Sequence, residues 1–287
     1  VGDWVAAEML PGEDRAMIRH ILPRTSKFSR KVAGKDTEEQ VLVANVDYLF
    51  IASALDQDFN LRRAERYLTL AWESGATPVV VLTKSDLCKD IPKAMRDFEA
   101  VAPGVEVHAV SAVTDEGFEG LARYLTGGAT VGLLGSSGVG KSTIVNRLAG
   151  SSQKVQAIRE DGKGRHTTTH RQLIVVGSGG VLVDTPGMRE LQLWESEGGL
   201  EQAFDDIASL AAGCRFTDCA HEQEPGCAVI EARRTGTLTE ERLDSYRKLQ
   251  KELAHLEIKK DARARKVRGR NMHAANAEAR RRARLRY

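Results

Sequence analysis

Gly135-Ser136-Ser137-Gly138-Val139-Gly140-Lys141-Ser142 fits the pattern G-x-x-x-x-G-K-[ST], and no other segment constrains the fold as much. Glycines at these spacings let successive backbone N–H groups curl round an anion without a Cβ in the way. A helix opening directly behind them adds the positive end of its dipole. The motif needs a buried strand in front and a helix behind. Both are legible: Ala129–Leu134 is a short apolar run, and Ile144, Val145 and Leu148 recur at helical spacing after it. The chain must therefore build a strand–loop–helix unit within an α/β fold. In it Lys141 reaches the outer phosphates of a nucleotide, and Ser142, followed by Thr143, places a hydroxyl where Mg2+ is ligated.

The surrounding texture agrees. Strand-like apolar runs occupy Val41–Asp47, Tyr48–Ala54, Pro78–Thr83, Val105–Val110, Ala129–Gly135, Arg171–Val176 and Val181–Asp184. Helical patterns lie between them at Leu61–Ser74, Pro92–Ala100, Glu116–Leu125 and Lys141–Ala149. Continuous apolar strands separated by helices predict a mainly parallel sheet covered on both faces. Residues 1–35 read instead as β-rich, with a turn at Pro11-Gly12. About 40 residues form a marginal domain alone, so this region is expected to be part of a small β-barrel. Beyond Gly199 the pattern is helical. Leu243, Tyr246, Leu249, Leu253 and Leu256 predict one long helix over Thr239–Lys260.

Further motifs sit at strand ends. Val181-Leu182-Val183-Asp184 is followed by Thr185-Pro186-Gly187. Asp184 suits a water-mediated Mg2+ contact, and the Gly187 amide is placed to sense a terminal phosphate. Between this motif and the phosphate loop, Gly162–Thr169 is polar and glycine-bearing. It reads as a loop that orders on nucleotide and brings a Thr hydroxyl to Mg2+; of Thr167, Thr168 and Thr169, Thr168 is favoured. Thr83-Lys84-Ser85-Asp86 follows another buried strand. In this Asn/Thr-Lys-x-Asp arrangement the carboxylate accepts from guanine N1 and N2, which adenine cannot match, while the Lys stem lies over the base. Ser111-Ala112, after Val107–Val110, offers backbone to guanine O6. Together these favour GTP/GDP over ATP, with a small-molecule ATPase or kinase as the competing reading.

The order of these elements is unusual. In ordinary GTPases the phosphate loop precedes the guanine motif, whereas here Thr83–Asp86 and Ser111-Ala112 come first. A sheet whose termini lie close tolerates such rejoining, so the order reads as a circular permutation. The segment after Asp184 then runs directly into the C-terminal region. There Cys214-x4-Cys219-x-His221-x5-Cys227 gathers three thiols and an imidazole. That set suits one closed, structural Zn2+ site, with redox cysteines as the alternative. Cys88 stands apart and reads as a packed thiol.

Charge is unevenly spread. Residues 1–14 carry four acids and no Lys or Arg, residues 15–35 seven basic residues and no acid, and residues 259–287 twelve basic residues against two acids. The intervening chain is acidic although the net charge is only +2. Two basic segments flanking an acidic middle point to a polyanionic partner such as nucleic acid. No run approaches the about 18–20 apolar residues of a membrane span, which predicts no membrane partner. Four cysteines make no disulfide scaffold, so a reducing, cytoplasmic setting is expected.

The permuted motifs, Gly164-Arg165-His166-Thr167-Thr168-Thr169, Asp184-Thr185-Pro186-Gly187-Met188-Arg189-Glu190 and the Cys/His cluster together resemble the RsgA (YjeQ) family of ribosome-small-subunit-dependent GTPases. Thr25–Lys35 and Ala44–Asp47 also resemble that family's linker. The resemblance implies an α/β fold with a partial N-terminal OB-like β segment (residues 1–40), a circularly permuted P-loop GTPase domain (41–199) and a C-terminal helical zinc-binding domain with a basic tail (200–287). It implies late maturation of the small ribosomal subunit, contact with its rRNA, and GTP hydrolysis stimulated by that subunit. The OB region holds too few residues for five strands. Met188 stands where Ras-like enzymes carry a water-orienting Gln, which points to His166 as the group that aligns water, alongside Lys141. A nucleotide-gated rRNA-binding factor, whose hydrolysis only times release, is the second reading. A monomer is expected.

Overall fold

The computed structural model describes residues 1–31, 39–57, 59–150, 172–184, 198–256 and 258. Its centre is a six-stranded sheet in the order β7-β6-β5-β8-β10-β9. β5 (Tyr48–Ala54), β6 (Thr77–Thr83), β7 (Glu106–Ala109), β8 (Thr130–Leu134) and β10 (Val181–Asp184) run parallel, and β9 (Gln172–Val175) pairs antiparallel to β10. Leu49, Phe50, Ile51, Val80, Val81, Leu82 and Leu134 are fully buried. This is why the central strands read as continuous apolar runs rather than alternating ones: both faces are covered.

The helices form where sequence signals place them. Asn60 caps α1 (Leu61–Ser74) by accepting from the Arg63 N–H at 3.0 Å. Gly75 ends it in the left-handed conformation, its N–H returning to the Trp72 carbonyl. Asp90 caps α2 (Ile91–Glu99) in the same way, with Pro92 in the first turn. α4 (Lys141–Ala149) starts directly from Gly140.

Two expectations need correction. The apolar run at Val41–Asp47 does not join the central sheet. Among the described residues its strand, β4 (Glu39–Ala44), pairs only with β3 (Lys27–Lys31). Asn45 then turns the chain at φ 55°, and its side chain holds Thr25 N–H and donates to Gly2 O. Phe28, Leu42, Val43 and Val46 pack into the same core as α1 and the sheet, so this hairpin is anchored to the core. The Glu116–Leu125 pattern is also not one helix. Glu116 forms a bridge to Ser111, α3 covers Phe118–Ala122, and Arg123–Leu125 is a 3-10 turn. Gly117 between them has φ +82°, and a Cβ there would meet the Ala109 carbonyl at 2.1 Å. The long C-terminal helix, α8, covers 240–256, so its start agrees with the expectation and its expected last turn lies outside the described residues.

β1 (Val5–Met9) and β2 (Ala16–Ile21) form a separate antiparallel hairpin exposed along its whole length. α5 (Gly199–Ala203), α6 (Asp205–Ala211), α7 (Ala228–Arg234) and α8 gather against α1. Gly199 lets α5 approach closely, since a Cβ there would lie 2.8 Å from the Thr69 carbonyl. The junction is held by Arg242 of α8, which is 6% exposed. Its guanidinium binds Glu65 of α1 at 2.8 Å, Asp206 of α6 at 2.8 and 3.1 Å, and the Ala203 carbonyl at 2.8 Å. It also lies 4.1 Å over the Phe204 ring. Burial opposes its charge, but the hydrogen bonds it donates to Asp206 and Glu65 prevail and hold the group above the usual arginine range.

Candidate nucleotide site and metal centre

The carboxyl ends of β5, β6 and β8 meet at one edge of the sheet, the crevice where open α/β sheets hold ligands. From β8 the chain enters the glycine loop. Gly135, Gly138 and Gly140 have φ of +155°, +77° and +102°, and a Cβ on Gly135 would strike the Ala52 carbonyl at 2.6 Å. The loop is therefore a cradle of backbone, with glycine at each position of positive φ. Lys141 Nζ folds back to donate to the carbonyls of Gly135 (2.7 Å) and Ser136 (2.5 Å), keeping the ammonium inside the loop. Ser137, Gly138, Ser142 and Thr143 are exposed, Ser136 and Gly140 are half-buried, and Val139 is buried. The cradle, its ammonium and the start of α4 fit the polyphosphate of a nucleotide, and the exposed Ser142 hydroxyl suits the Mg2+ such a ligand carries.

β6 delivers Thr83, Lys84 and Asp86 beside this cradle. The buried Thr83 hydroxyl donates to the Val139 carbonyl at 2.6 Å, tying the guanine motif to the phosphate loop. Lys84 sits at φ 56°, in the left-handed region, and its Nζ donates to Asp56 Oδ2 at 2.7 Å. The buried Ser111 hydroxyl donates to Asp86 Oδ1 at 2.6 Å and accepts the N–H groups of Val113 and Thr114. Arg147 of α4 donates to the Ala112 carbonyl at 3.1 Å. Residues from three strands thus converge, with an exposed carboxylate able to accept from the paired N–H donors of a guanine edge. Asp184 ends β10 next to β8, as expected. His166, Thr168 and Gly187 lie outside the described residues. Asp56 and Arg147 were not anticipated. The one available signal for Asp56 was an acid two residues past a strand that ends in the same crevice.

In the C-terminal helices, Cys214, Cys219, His221 and Cys227 bring their ligand atoms within 4.8 Å of one another. Cys214 Sγ lies 3.8 Å from Cys227 Sγ and 3.6 Å from His221 Nδ1, and Cys227 Sγ lies 3.4 Å from that nitrogen. A tetrahedral ion with Zn–S near 2.3 Å and Zn–N near 2.0–2.1 Å has edges of about 3.8 Å (S···S) and about 3.5 Å (S···N). The three distances among Cys214, Cys227 and His221 match those edges, and Cys219 stands within 4.8 Å of the other three, so the donor set fits zinc. Burial pushes the His221 imidazole below the usual range, in keeping with a neutral ligand. Glu224 braces the loop by accepting the N–H groups of Ala220, Glu222 and Gln223 at 2.8–3.0 Å. Cys88 packs, half-buried, against the main core.

In chain order the guanine elements precede the phosphate loop, while in space the strands bearing them stand side by side in one sheet. The fold and this site together define a circularly permuted P-loop GTPase. The comparisons make the class specific. A model described as RsgA GTPase matches residues 21–194, and one described as 50S ribosome-binding GTPase matches residues 130–259. A Streptomyces avermitilis protein, "Small ribosomal subunit biogenesis GTPase RsgA", is 53% identical over 92% of this chain and 72% of its own length. "Small ribosomal subunit biogenesis GTPase RsgA 2" of Lactiplantibacillus plantarum is 49% identical over 89% and 72%. The crystal structure of YjeQ from Thermotoga maritima superposes with a TM-score of 0.66 at 30% identity, covering 88% of this chain and 84% of that one. YloQ, described as a circularly permuted GTPase, gives 0.65 at 26% identity over 89% and 80%. The chain belongs to the RsgA GTPase family. It is a GTP hydrolase, and the ATPase or kinase reading falls away. No helix among the described residues is long and apolar enough to cross a membrane.

Proposed function

We propose that this protein binds the small ribosomal subunit and hydrolyses GTP to GDP and phosphate during late subunit maturation, with the subunit stimulating turnover. The observation that carries the reading is the permuted nucleotide site together with relatives about half identical across nine-tenths of the chain, whose names state small-subunit biogenesis.

Within that reading Asp86 accepts from guanine N1 and N2, Lys84 covers the base, and the Ala112 amide reaches O6. Thr83 couples this pocket to the phosphate loop. The backbone amides of residues 135–143 hold the phosphates and Lys141 neutralises the outer ones. The Ser142 and Thr168 hydroxyls and Asp184 would hold Mg2+, which would supply charge neutralisation at the transferred group. Gly187 senses the terminal phosphate, and His166 aligns the attacking water once its loop docks on the subunit. Cys214, Cys219, His221 and Cys227 hold one structural Zn2+. The arginine-rich residues after 259 pair with rRNA phosphates, and the protein acts as a cytoplasmic monomer.

Turnover measured with and without purified small subunits is the test. Stimulation is the expected result, and unchanged turnover would overturn the assignment. His166→Ala is expected to bind GTP normally and lose the stimulated rate. Retention of that rate would remove His166 from the mechanism.

A further inference from the structure

The nucleotide crevice contains an acid that the phosphate-loop and guanine motifs do not account for. β5 and β6 run parallel in a register that pairs Ala54 with Thr83. The residues just beyond, Leu55-Asp56 on one strand and Lys84 on the other, therefore emerge side by side at the same edge. The Leu55 N–H donates to the Thr83 carbonyl at 2.8 Å, which extends the ladder past the strands and fixes this offset. The Phe59 N–H returns to the Asp56 carbonyl at 3.1 Å, so Asp56 sits in a turn that leads into α1. Its carboxylate holds Lys84 Nζ at 2.7 Å.

Lys84 itself is held in a left-handed conformation uncommon for a lysine, and the Ser85 N–H anchors the following turn to the Val110 carbonyl. With backbone and Nζ both fixed, the four-carbon stem has little rotamer freedom left. Both side chains keep part of their solvent exposure, 36% for Lys84 and 26% for Asp56, and partly exposed pairs add little to folding stability. The pair is better explained by what it does to the crevice. It holds the lysine stem in place at the edge of the crevice.

We propose that Asp56 is a positioning residue for guanine-nucleotide binding: it pins the Lys84 ammonium so that the stem is pre-formed as the wall on which the base lies. The proposal rests on the guanine reading of Thr83–Asp86 given above. Ordering one rotamer-rich side chain on binding corresponds to about 2- to 10-fold in affinity. Asp56→Ala and Asp56→Asn should therefore weaken a fluorescent GDP analogue by about that factor. KM for GTP should rise similarly with kcat unchanged, since the stem contacts ground and transition states alike. Thermal unfolding without nucleotide should not move. Asp56→Glu, which keeps the carboxylate, should retain most of the affinity.

The deciding measurement is a cycle with Lys84→Ala. If Asp56 acts through Lys84, adding Asp56→Ala to Lys84→Ala causes no further loss of GDP affinity. An equal loss in both backgrounds, or wild-type affinity in Asp56→Ala and Asp56→Asn alike, would overturn the proposal while leaving guanine binding intact. Failure of the wild-type protein to bind the GDP analogue would overturn both.

Discussion

The Ser111 hydroxyl donates to Asp86 Oδ1 at 2.6 Å, and the two residues sit 25 positions apart at the ends of neighbouring strands. Ser111 is fully buried and Asp86 is exposed. The hydroxyl also accepts two backbone N–H groups, so it cannot swing away from the carboxylate. One carboxylate oxygen is thereby fixed from behind, and the face of the group that meets the base keeps a defined plane. The loop carrying Ala112 and the motif carrying Asp86 are thus tied together through one hydroxyl.

This arrangement predicts two graded losses. Asp86→Asn keeps the shape but loses the charged acceptor for two guanine donors. Charge-assisted bonds contribute about 1.5–3 kcal/mol each, so GDP affinity should fall by about 100-fold or more. Xanthosine diphosphate, which presents a carbonyl where guanine presents an amine, should gain relative to GDP. Ser111→Ala leaves the carboxylate in place but untethered, and the loss should be about 10-fold. Equal affinity for GDP in Asp86→Asn and wild type, measured by calorimetry, would contradict the pocket.

Zinc analysis gives a second check. One equivalent per chain is expected, released by a thiol-competing chelator. Structural zinc contributes about 10–16 kcal/mol in isolated zinc-finger peptides at neutral pH. Its removal, or Cys227→Ala at the buried ligand that also caps α7, should therefore abolish amide-exchange protection in α6 and α7. β5 and β6 also build the core on the other face of the sheet, where Phe50, Ala52, Val79 and Val81 pack with Val131 and Leu133 away from the cluster, and should stay protected. Unchanged exchange in α7 after metal loss would contradict a structural role.

Much of this site was legible because chemistry restricts the residue types that can build it. A phosphate cradle demands glycine at fixed spacing, a guanine edge demands a carboxylate, and a tetrahedral zinc site demands thiols and an imidazole. Contacts set by register or by distant packing left no such mark. Asp56 meets Lys84 only because Ala54 pairs with Thr83. The run at Val41–Ala44 was apolar for a reason that periodicity cannot separate from sheet membership: it packs on the main core as half of a hairpin. Gly117 broke a helical pattern because of a carbonyl from another strand. Glu65 and Arg242, 177 residues apart, offered no sequence signal for their pairing.

That pair yields a stability prediction. Glu65 is 2% exposed, and its Oε2 has no hydrogen-bond partner among the described residues, so Arg242 is its main compensation. Arg242→Met should destabilise the protein by about 3–5 kcal/mol, since it strands a buried carboxylate. Asp206, whose side chain is 36% exposed, can recover water. Glu65→Leu combined with Arg242→Met should regain most of the loss, because a hydrophobic pair of similar volume replaces two desolvated charges. Urea denaturation of the two variants checks this. A double variant as unstable as Arg242→Met alone would place the cost elsewhere.

The brace at Glu224 sets an acid limit on the zinc loop. Backbone donors, its own N–H first and then those of Ala220, Glu222 and Gln223, hold this carboxyl down to about 2. An unfolded chain would titrate it near the ordinary glutamate value of about 4.3. A carboxyl whose folded pKa is depressed contributes stability that is complete above the unfolded value and disappears as pH falls through the folded one. Glu224→Gln should therefore lower the melting temperature by a constant amount from pH 7 to about 5. The gap between variant and wild type should then narrow progressively toward pH 2. Zinc loss in acid affects both proteins, so the difference between their melting curves isolates the carboxylate. A gap that stays constant down to pH 3 would mean that the charge on Glu224 contributes nothing to the brace.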